Sequence, residues 1–190
     1  NGKGFGRFIH DITNSQFRSK FEDDLRKLHG SLGIGIISDY DDQPLIISSH
    51  LGTFAIVTVS KINNIDALAA KAFRKKMHFS EMSRGMTNPT ELVAMLICGE
   101  DSFEAGISSA QQAIKGSCSM LLLTEDGIYA ARDKLGRTTI NIGKKEGAFA
   151  ASSETCAFPN LGYEIHKYLG PGEIVLLTAE GCEQRKKPQE

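Results

Sequence analysis

The sequence has little net charge, no long apolar run and no paired cysteines, and each absence excludes a class of protein. Its 22 Lys and Arg residues balance 23 Asp and Glu residues, which gives no electrostatic reason to expect binding to nucleic acid or to an acidic membrane surface. The longest apolar-rich stretch, Pro44 to Val59, is interrupted by polar residues and a glycine, so it is not a membrane span. We therefore expect no nucleic acid and no membrane among its partners.

The four cysteines lie far apart, and neither a CxxC pair nor a signal peptide accompanies them. This pattern favours reduced, buried thiols in a cytoplasmic protein. No motif implies a cofactor or a metal. Because the 190 residues contain no internal repeat, low-complexity segment or linker, we predict a single domain over residues 1–190.

The stretch from Ser117 to Glu154 has the clearest strand pattern in the sequence. It predicts four strands in succession, with turns at Asp126-Gly127, at residues 134–137 and at residues 145–147. These turns predict that the four strands form one β-meander, against which the rest of the chain packs.

Helices and further strands are predicted on both sides of this stretch. Helices are indicated by the apolar spacing from Phe17 to Leu28, by Asn64 as a cap, by the start at residues 88–91, and by the capping pattern at residues 101–104. Strands are predicted at residues 32–37, 45–48, 53–59, 163–168 and 173–177, and the polar tail after residue 182 is predicted to fray. Hairpins interspersed with helices predict the α+β class, in which helices cover antiparallel sheets.

Several residues could carry chemistry, and each also has an ordinary structural interpretation. The acidic connection at residues 39–42 could bind a hard cation, but it lacks the glycine and distal Glu of a calcium loop, so a solvated turn is favoured. Arg132 and Asp133 are expected to fix a turn, and Glu154 to cap a helical turn. A third possibility is an enzyme of different chemistry. Structural roles are again favoured for its candidate residues, which are His50, His78, His166, Cys118 and Cys156.

A series of motifs runs through the chain. From residue 115 onward they read KGSCSMLLLT, RDKLG, IGK, SSETCAF and GPGEIV, and upstream they are GKGFG, the GIG at 33–35, Gln43-Pro44 and residues 87–97. Their order and spacing resemble the glutaminase domain of the glutamine phosphoribosylpyrophosphate amidotransferase family, a class II glutamine amidotransferase. The glutaminase domain of asparagine synthetase shares the Arg-Asp and Ser-Glu pairs. The motifs SSETCAF and PGEIV favour the phosphoribosylpyrophosphate amidotransferase family, which acts in purine synthesis. The resemblance implies the N-terminal nucleophile fold, a four-layer αββα sandwich of two antiparallel sheets.

The resemblance also implies a glutaminase site. In the family, a cysteine at the first residue attacks glutamine, a Gly amide and an Asn side chain hold the oxyanion, and an Asp and an Arg bind the substrate's α-amino and α-carboxyl groups. In this chain Asn1 carries no nucleophile, and we expect the first strands of the family fold to lie upstream of it. The remaining pocket positions are degenerate, because the Arg, Asn, Gly and Asp of the family fall on Ser38, Val59, Ser60 and Pro89, although Glu91 still matches.

These departures concentrate on the groups that would contact glutamine. We therefore predict no catalytic residue, and a domain without glutamine-hydrolysing activity that has a structural or regulatory role linked to purine nucleotide synthesis. The alternative is an active glutamine amidotransferase whose N-terminal cysteine lies upstream of this chain and which releases ammonia from glutamine. The expected partner of a silent domain is a phosphoribosyltransferase domain or a second copy in a homo-oligomer.

Overall fold

The computed structural model describes residues 4–14, 16–39, 41–74, 76–80, 82–83 and 86–189. The helices are α1 (Phe17–Leu25), α2 (Ile65–Arg74), α3 (Pro89–Ile97), α4 (Phe103–Ala113) and α5 (Ala157–Asn160). The strands are β1 (Leu45–Ser49), β2 (Gly52–Ile62), β3 (Met82–Ser83), β4 (Met86–Thr87), β5 (Gly116–Leu123), β6 (Ile128–Ala131), β7 (Asn141–Lys145), β8 (Ala148–Ser152), β9 (Glu164–Tyr168), β10 (Ile174–Leu177) and β11 (Cys182–Lys186).

Two antiparallel sheets dominate the described fold. The larger has the strand order β1-β2-β5-β6-β10-β11, the smaller has the order β8-β7-β9, and β3 and β4 form a separate short pair. Residues directly opposite each other on neighbouring strands share a face of the sheet. One such row crosses four strands of the larger sheet at Val57, Leu121, Ala130 and Val175. This row faces the smaller sheet, and we call its side of the larger sheet the inner face.

Helices α3 and α4 cover the outer face of the larger sheet, and their apolar residues join its core. Asn88 caps α3 with its side chain, as the sequence predicts, and Ser102 caps α4 within the predicted capping pattern. Gly106 allows the two helices to approach closely, because a Cβ at this position would lie 2.4 Å from the carbonyl oxygen of Ile97.

The smaller sheet packs on part of the inner face of the larger one. Ile142 and Phe149 contribute to a core cluster that includes Ala130 and Val175 of the larger sheet. On the far side of the smaller sheet, Phe158 of α5 fills the space above β7, since a Cβ at Gly143 would lie 2.6 Å from its ring. The order of layers is helix, sheet, sheet, helix, which confirms the predicted α+β class and αββα sandwich.

The predicted single β-meander is wrong, although its four strands are present. Strands β5 and β6 form a hairpin in the larger sheet, whereas β7 and β8 form a hairpin in the smaller sheet. Between them Asp133 turns the chain, because its carboxylate accepts the N–H groups of Leu135 and Thr138 at 3.0 and 2.8 Å. Strand β6 pairs with β10 instead of β7, a long-range pairing that turn residues do not reveal.

Two smaller predictions are also wrong, and a third, the cap at Asn64, holds only for the backbone, since the Asn64 carbonyl accepts the N–H of Leu68 at 3.1 Å. Residues 32–37 form no strand in the described structure. The tail forms β11, which pairs with β10 and is further held by a hydrogen bond from Lys186 to Gln111 at 2.9 Å. Asn64 precedes α2, but its side chain bonds to the carbonyl of Ala113 and the N–H of Lys115, so it ties α2 to the start of β5.

Candidate functional site

A cavity of about 1340 Å³ lies between the two sheets where the smaller sheet does not cover the larger one. Its floor is the inner face of β2 and β5. The end of β8 and residues 138–140 form one wall, and α1 with residues 6–13 and 34–39 forms the other. The cavity is therefore enclosed partly by regular sheet and partly by irregular segments.

The structure brings two of the four predicted pocket positions to this cavity. Ser38 and Val59 line it. Ser60 follows Val59 in β2, so its side chain points to the opposite face of the sheet. Pro89 is the first residue of α3 and directly follows Asn88, which lines the cavity. Asn1, the expected place of the nucleophile, lies outside the described residues.

Val59 is 49% exposed although it lies within β2 and pairs there with β5. Its side chain has no hydrogen-bond donor, so it cannot stabilise an oxyanion as an Asn would. Ser119, its partner on β5, offers a hydroxyl to the same cavity. That hydroxyl donates to the carbonyl of Thr138 and accepts the N–H of Asp133, both at 3.0 Å, and is therefore committed to the fold.

A buried polar network next to the cavity joins β2 to α3. The Gln43 side chain binds both backbone groups of Thr58, accepting its N–H at 2.7 Å and donating to its carbonyl at 3.2 Å. The hydroxyls of Thr58 and Thr90 lie 2.7 Å apart. Because these groups satisfy each other, the network positions the backbone under Val59 and leaves little for a ligand. The sequence motifs include the Gln43-Pro44 pair but do not indicate Thr58 and Thr90; the available signal is a threonine among the apolar residues of β2 and another in the first turn of α3.

A His–Asp pair that the sequence did not indicate also lines the cavity. His10 Nε2 lies 2.5 Å from Asp24 Oδ2, and Lys27 Nζ donates to Asp24 Oδ1 at 3.0 Å. These hydrogen bonds, first that of His10 and then that of Lys27, lower the pKa of Asp24 below its ordinary value. Fourteen positions separate the pair in the sequence, so no local spacing predicts it.

None of the four cysteines, all of which are described, lines the cavity. Burial raises the pKa of Cys118 to about 12, and the charge of Asp133 adds to the effect. Burial likewise raises the pKa of Cys98 and of Cys182. These three thiols are held in the unreactive neutral form, while Cys156 is exposed at the start of α5.

The other residues singled out in the sequence have structural surroundings. Arg132 donates to the carbonyls of Leu169 and Gly136, both at 2.5 Å, and so fixes the predicted turn together with Asp133. The predicted cap at Glu154 is wrong: α5 begins at Ala157, and Cys156 occupies the N-cap position.

The remaining candidates do not converge on a site. His50 lies 2.9 Å from the carbonyl of Glu100, His166 contacts the ring of Phe149, and His78 is exposed. In the described ranges, no three His, Cys, Asp or Glu side chains are grouped to hold a metal ion. A search of the same residues found no helix that is both long and apolar enough for a membrane span.

Known proteins show the same combination of motifs and layers. Residues 29–160 match the family model described as a glutamine amidotransferase domain. The amidophosphoribosyltransferase of Methanocaldococcus jannaschii is 30% identical over 159 residues, which are 80% of this chain and 34% of that protein. The amidophosphoribosyltransferase of Staphylococcus epidermidis is 30% identical over 140 residues, which are 72% of this chain and 28% of that protein.

Solved structures agree with this relationship. The glutamine phosphoribosylpyrophosphate amidotransferase from B. subtilis, complexed with ADP and GMP, superposes with a TM-score of 0.68 at 26% identity. The superposition covers 77% of this chain and 32% of that chain. The chain thus spans about a third of the length of the proteins it matches.

Proposed function

Because the chain belongs to the family of glutamine amidotransferase domains, and resembles amidophosphoribosyltransferases within it, we propose that it is a domain of this kind that does not hydrolyse glutamine. The observation that carries the proposal is Val59. A half-exposed valine faces the cavity at the position where the family resemblance implies an oxyanion-binding Asn.

The surroundings of Ser38 support the same proposal for substrate binding. The resemblance implies an arginine at this position, which would grip an α-carboxylate with two parallel hydrogen bonds. Ser38 carries a single hydroxyl, and this hydroxyl accepts the N–H of Asp41 at 3.1 Å. Asp41 and Asp42 line the same side of the cavity, so the local charge opposes a substrate carboxylate.

The role that remains for such a domain is structural or regulatory and is linked to purine nucleotide synthesis. Both sheets, the cap of α3 and the turn at Arg132 and Asp133 are formed, as expected of a domain retained for its surfaces. The matched residues make up about a third of its relatives, which are named amidophosphoribosyltransferases. We propose a phosphoribosyltransferase domain as its partner, or a second copy of the chain.

The test is an assay of ammonia and glutamate release from glutamine, made with the 190-residue chain and with its complete reading frame. The S. epidermidis amidophosphoribosyltransferase, assayed in parallel, is the positive control. We expect no release above the uncatalysed rate from either form. Release at an ordinary turnover of about 10 s⁻¹ by the longer form would overturn the proposal in favour of an active amidotransferase with an upstream cysteine.

A further inference from the structure

Helix α2 lies in the outer helical layer and buries one of its faces. Leu68 packs against the core cluster to which α3 and α4 contribute, and Ala69 and Ala72 are buried. Phe73 lies outside this face, and its side chain is 56% exposed. No described residue of α2 lines the cavity, so this surface is separate from the uncovered part of the inner face of the larger sheet.

The chain turns sharply after α2 and brings a second aromatic ring to Phe73. The N–H of Met77 donates to the carbonyl of Ala72 at 3.2 Å, and the N–H of Lys76 donates to the carbonyl of Phe73 at 2.9 Å. These two hydrogen bonds form the Schellman motif that ends many helices. Beyond the turn, the ring of Phe79 meets the ring of Phe73 edge-on, with the centroids 5.4 Å apart, and Met77 is 36% exposed. We call Phe73, Met77 and Phe79 the α2 patch.

The segment that carries the α2 patch is basic. Residues 67–80 include four Lys and Arg residues and no acidic residue, in a chain whose net charge is −1. Lys71, Arg74 and Lys76 are exposed and form no ion pair in the part of the chain that the structure describes. The helix dipole favours cations in the last turn of α2, but it does not account for an exposed aromatic residue among them. An acidic occupant complements this charge.

Lys76 adopts a backbone conformation that is strained for a lysine. Its φ is +60°, in the left-handed region, where glycine is the usual residue after a helix. Apart from glycines, no other residue in the described ranges has a positive φ. A lysine at this position gives up stability and adds a cation beside the α2 patch. Strained residues of this kind concentrate at functional sites.

We propose that the α2 patch is a docking surface for an acidic amphipathic helix of a partner protein. Apolar residues of the partner helix cover Phe73 and Met77. Its Asp or Glu residues meet Lys71, Arg74 and Lys76. The ten residues of α2 span about 15 Å, which about three turns of a partner helix match. The adaptable side chain of methionine is typical of surfaces that bind partner helices, which favours a protein over a lipid surface.

The test follows the binding of two labelled peptides to the complete reading frame of the protein by fluorescence anisotropy. One peptide consists of three copies of Glu-Leu-Ala-Glu-Leu-Glu-Glu, and the other has Lys in place of every Glu. We expect the acidic peptide to bind at least about tenfold more tightly than the basic one at low salt. Raising the ionic strength to about 0.5 M should reduce this difference, because exposed charges are then screened.

Two matched charge reversals separate the α2 patch from the rest of the surface. Lys71→Glu should weaken binding of the acidic peptide at least about tenfold. Lys20→Glu makes the same change at an exposed lysine of α1, which forms part of the cavity wall, and should leave binding unchanged. Thermal unfolding of both variants verifies that each is folded.

Lys76→Gly separates binding from stability. Glycine adopts a positive φ without strain, so the variant should unfold at the same temperature as the native chain or at a higher one. The variant also loses a cation beside the α2 patch, so binding of the acidic peptide should weaken at least about threefold. A purely structural role of Lys76 predicts no loss of binding.

Equal affinity for the two peptides, equal weakening by the two charge reversals, or unchanged binding in Lys76→Gly would overturn the proposal. So would light scattering that shows a dimer which Lys71→Glu dissociates, because a second copy would then cover the α2 patch. Sedimentation with vesicles of phosphatidylserine and phosphatidylcholine in equal parts, if Lys71→Glu abolishes it, would replace the partner helix with a lipid surface.

The 190-residue chain provides the last comparison. If the acidic peptide binds this chain but not the complete reading frame, another segment of the same protein covers the α2 patch, and a partner protein is excluded. None of these measurements involves glutamine, so the docking surface and the proposed lack of glutamine hydrolysis fail separately.

Discussion

The inner face of the larger sheet is covered over β6 and β10 but opens onto the cavity over β2 and β5. Val175 lies on the covered half and is fully buried, whereas Val59 lies on the open half and is half exposed. Two valines on the same face of one sheet thus differ in their surroundings: one is buried between the sheets and the other borders the cavity. The covered half also contains Arg132 and Glu173, which belong to the motifs that identify the family.

The difference gives a physical reason for the pattern expected from the sequence, in which family motifs persist on the covered half and pocket positions on the open half are degenerate. Side chains in the covered half are buried among partners, so a substitution there leaves cavities or unsatisfied polar groups and costs folding free energy. Side chains facing the cavity border solvent, and a substitution there changes chemistry at little cost in stability. The loss of a catalytic group that we propose at Val59 is therefore compatible with a folded scaffold.

The largest effect is expected for Glu173 of the covered half, whose side chain is 1% exposed. Its carboxylate accepts the N–H of Gly170 at 2.8 Å and hydrogen bonds from Lys167 and Gln184. Glu173→Ala leaves these donors unpaired and should cost about 3 kcal/mol of unfolding free energy in urea denaturation. A loss below about 1 kcal/mol would mean that water replaces the carboxylate and that the covered half is less tightly closed.

Glu173 also predicts a pH dependence. Burial by itself raises the pKa of Glu173, but the hydrogen bonds from Lys167, Gly170 and Gln184 outweigh it, and the pKa lies below the ordinary 4.5. Stability from a lowered carboxylate pKa is fully present above that ordinary value and is lost as the pH falls through the folded-state pKa. The stability advantage of the native chain over Glu173→Gln should therefore shrink below pH 4.5; an advantage that stays constant there would contradict the lowered pKa.

The next largest effect is expected in a comparison of Val175→Ala with Val59→Ala. Removal of two buried methyl groups from Val175 should cost about 2 kcal/mol, because a cavity remains between the sheets. The same change at Val59 should alter stability by less than about 0.5 kcal/mol. Equal losses in denaturant unfolding would show that the open half is packed like the covered half.

A third, smaller effect is expected at Asn88, where the cavity meets the helical layer. Its side chain accepts the N–H groups of Thr90 and Glu91 at 2.8 and 3.1 Å. Asn88→Ala should cost about 1 kcal/mol through loss of the cap, while Asn88→Asp, which keeps an acceptor, should cost much less. If the two variants lose the same stability in thermal unfolding, the effect comes from altered packing and not from loss of the cap.

The elements that the sequence predicted well are those specified locally. The start of α3 follows from a cap residue and a proline at residues 88–89, and the β5–β6 hairpin follows from Asp126-Gly127 between apolar runs. The assignment of β7 to a second sheet depends on the pairing of β6 with β10, two strands that are distant in the sequence. Local signals could not supply it.

The candidate site was predictable where the family resemblance supplied positions. It led to Ser38 and Val59, which the structure places on one cavity. It did not lead to His10 and Asp24, because a pair formed between an irregular segment and a helix leaves no spacing pattern. Nor did it lead to Thr58, whose role as a buried link between Gln43 and α3 is visible only once the strand and the helix are packed together.

The smallest effect is expected at Glu154, a motif residue whose side chain has no hydrogen-bond or ion-pair partner among the described residues. In SSETCAF its position suggests a helix cap, yet its side chain is exposed and α5 begins three residues later. Its backbone N–H donates to Ser152 Oγ at 3.1 Å, a contact that any residue can make. Glu154→Ala should therefore change the unfolding free energy by less than about 0.5 kcal/mol, whereas a capping residue would cost about 1. A loss of about 1 kcal/mol would show that this carboxylate binds backbone N–H groups in solution. A negligible loss would show that the stability of the fold does not require a glutamate at position 154, as we expect for the side chains that face the cavity.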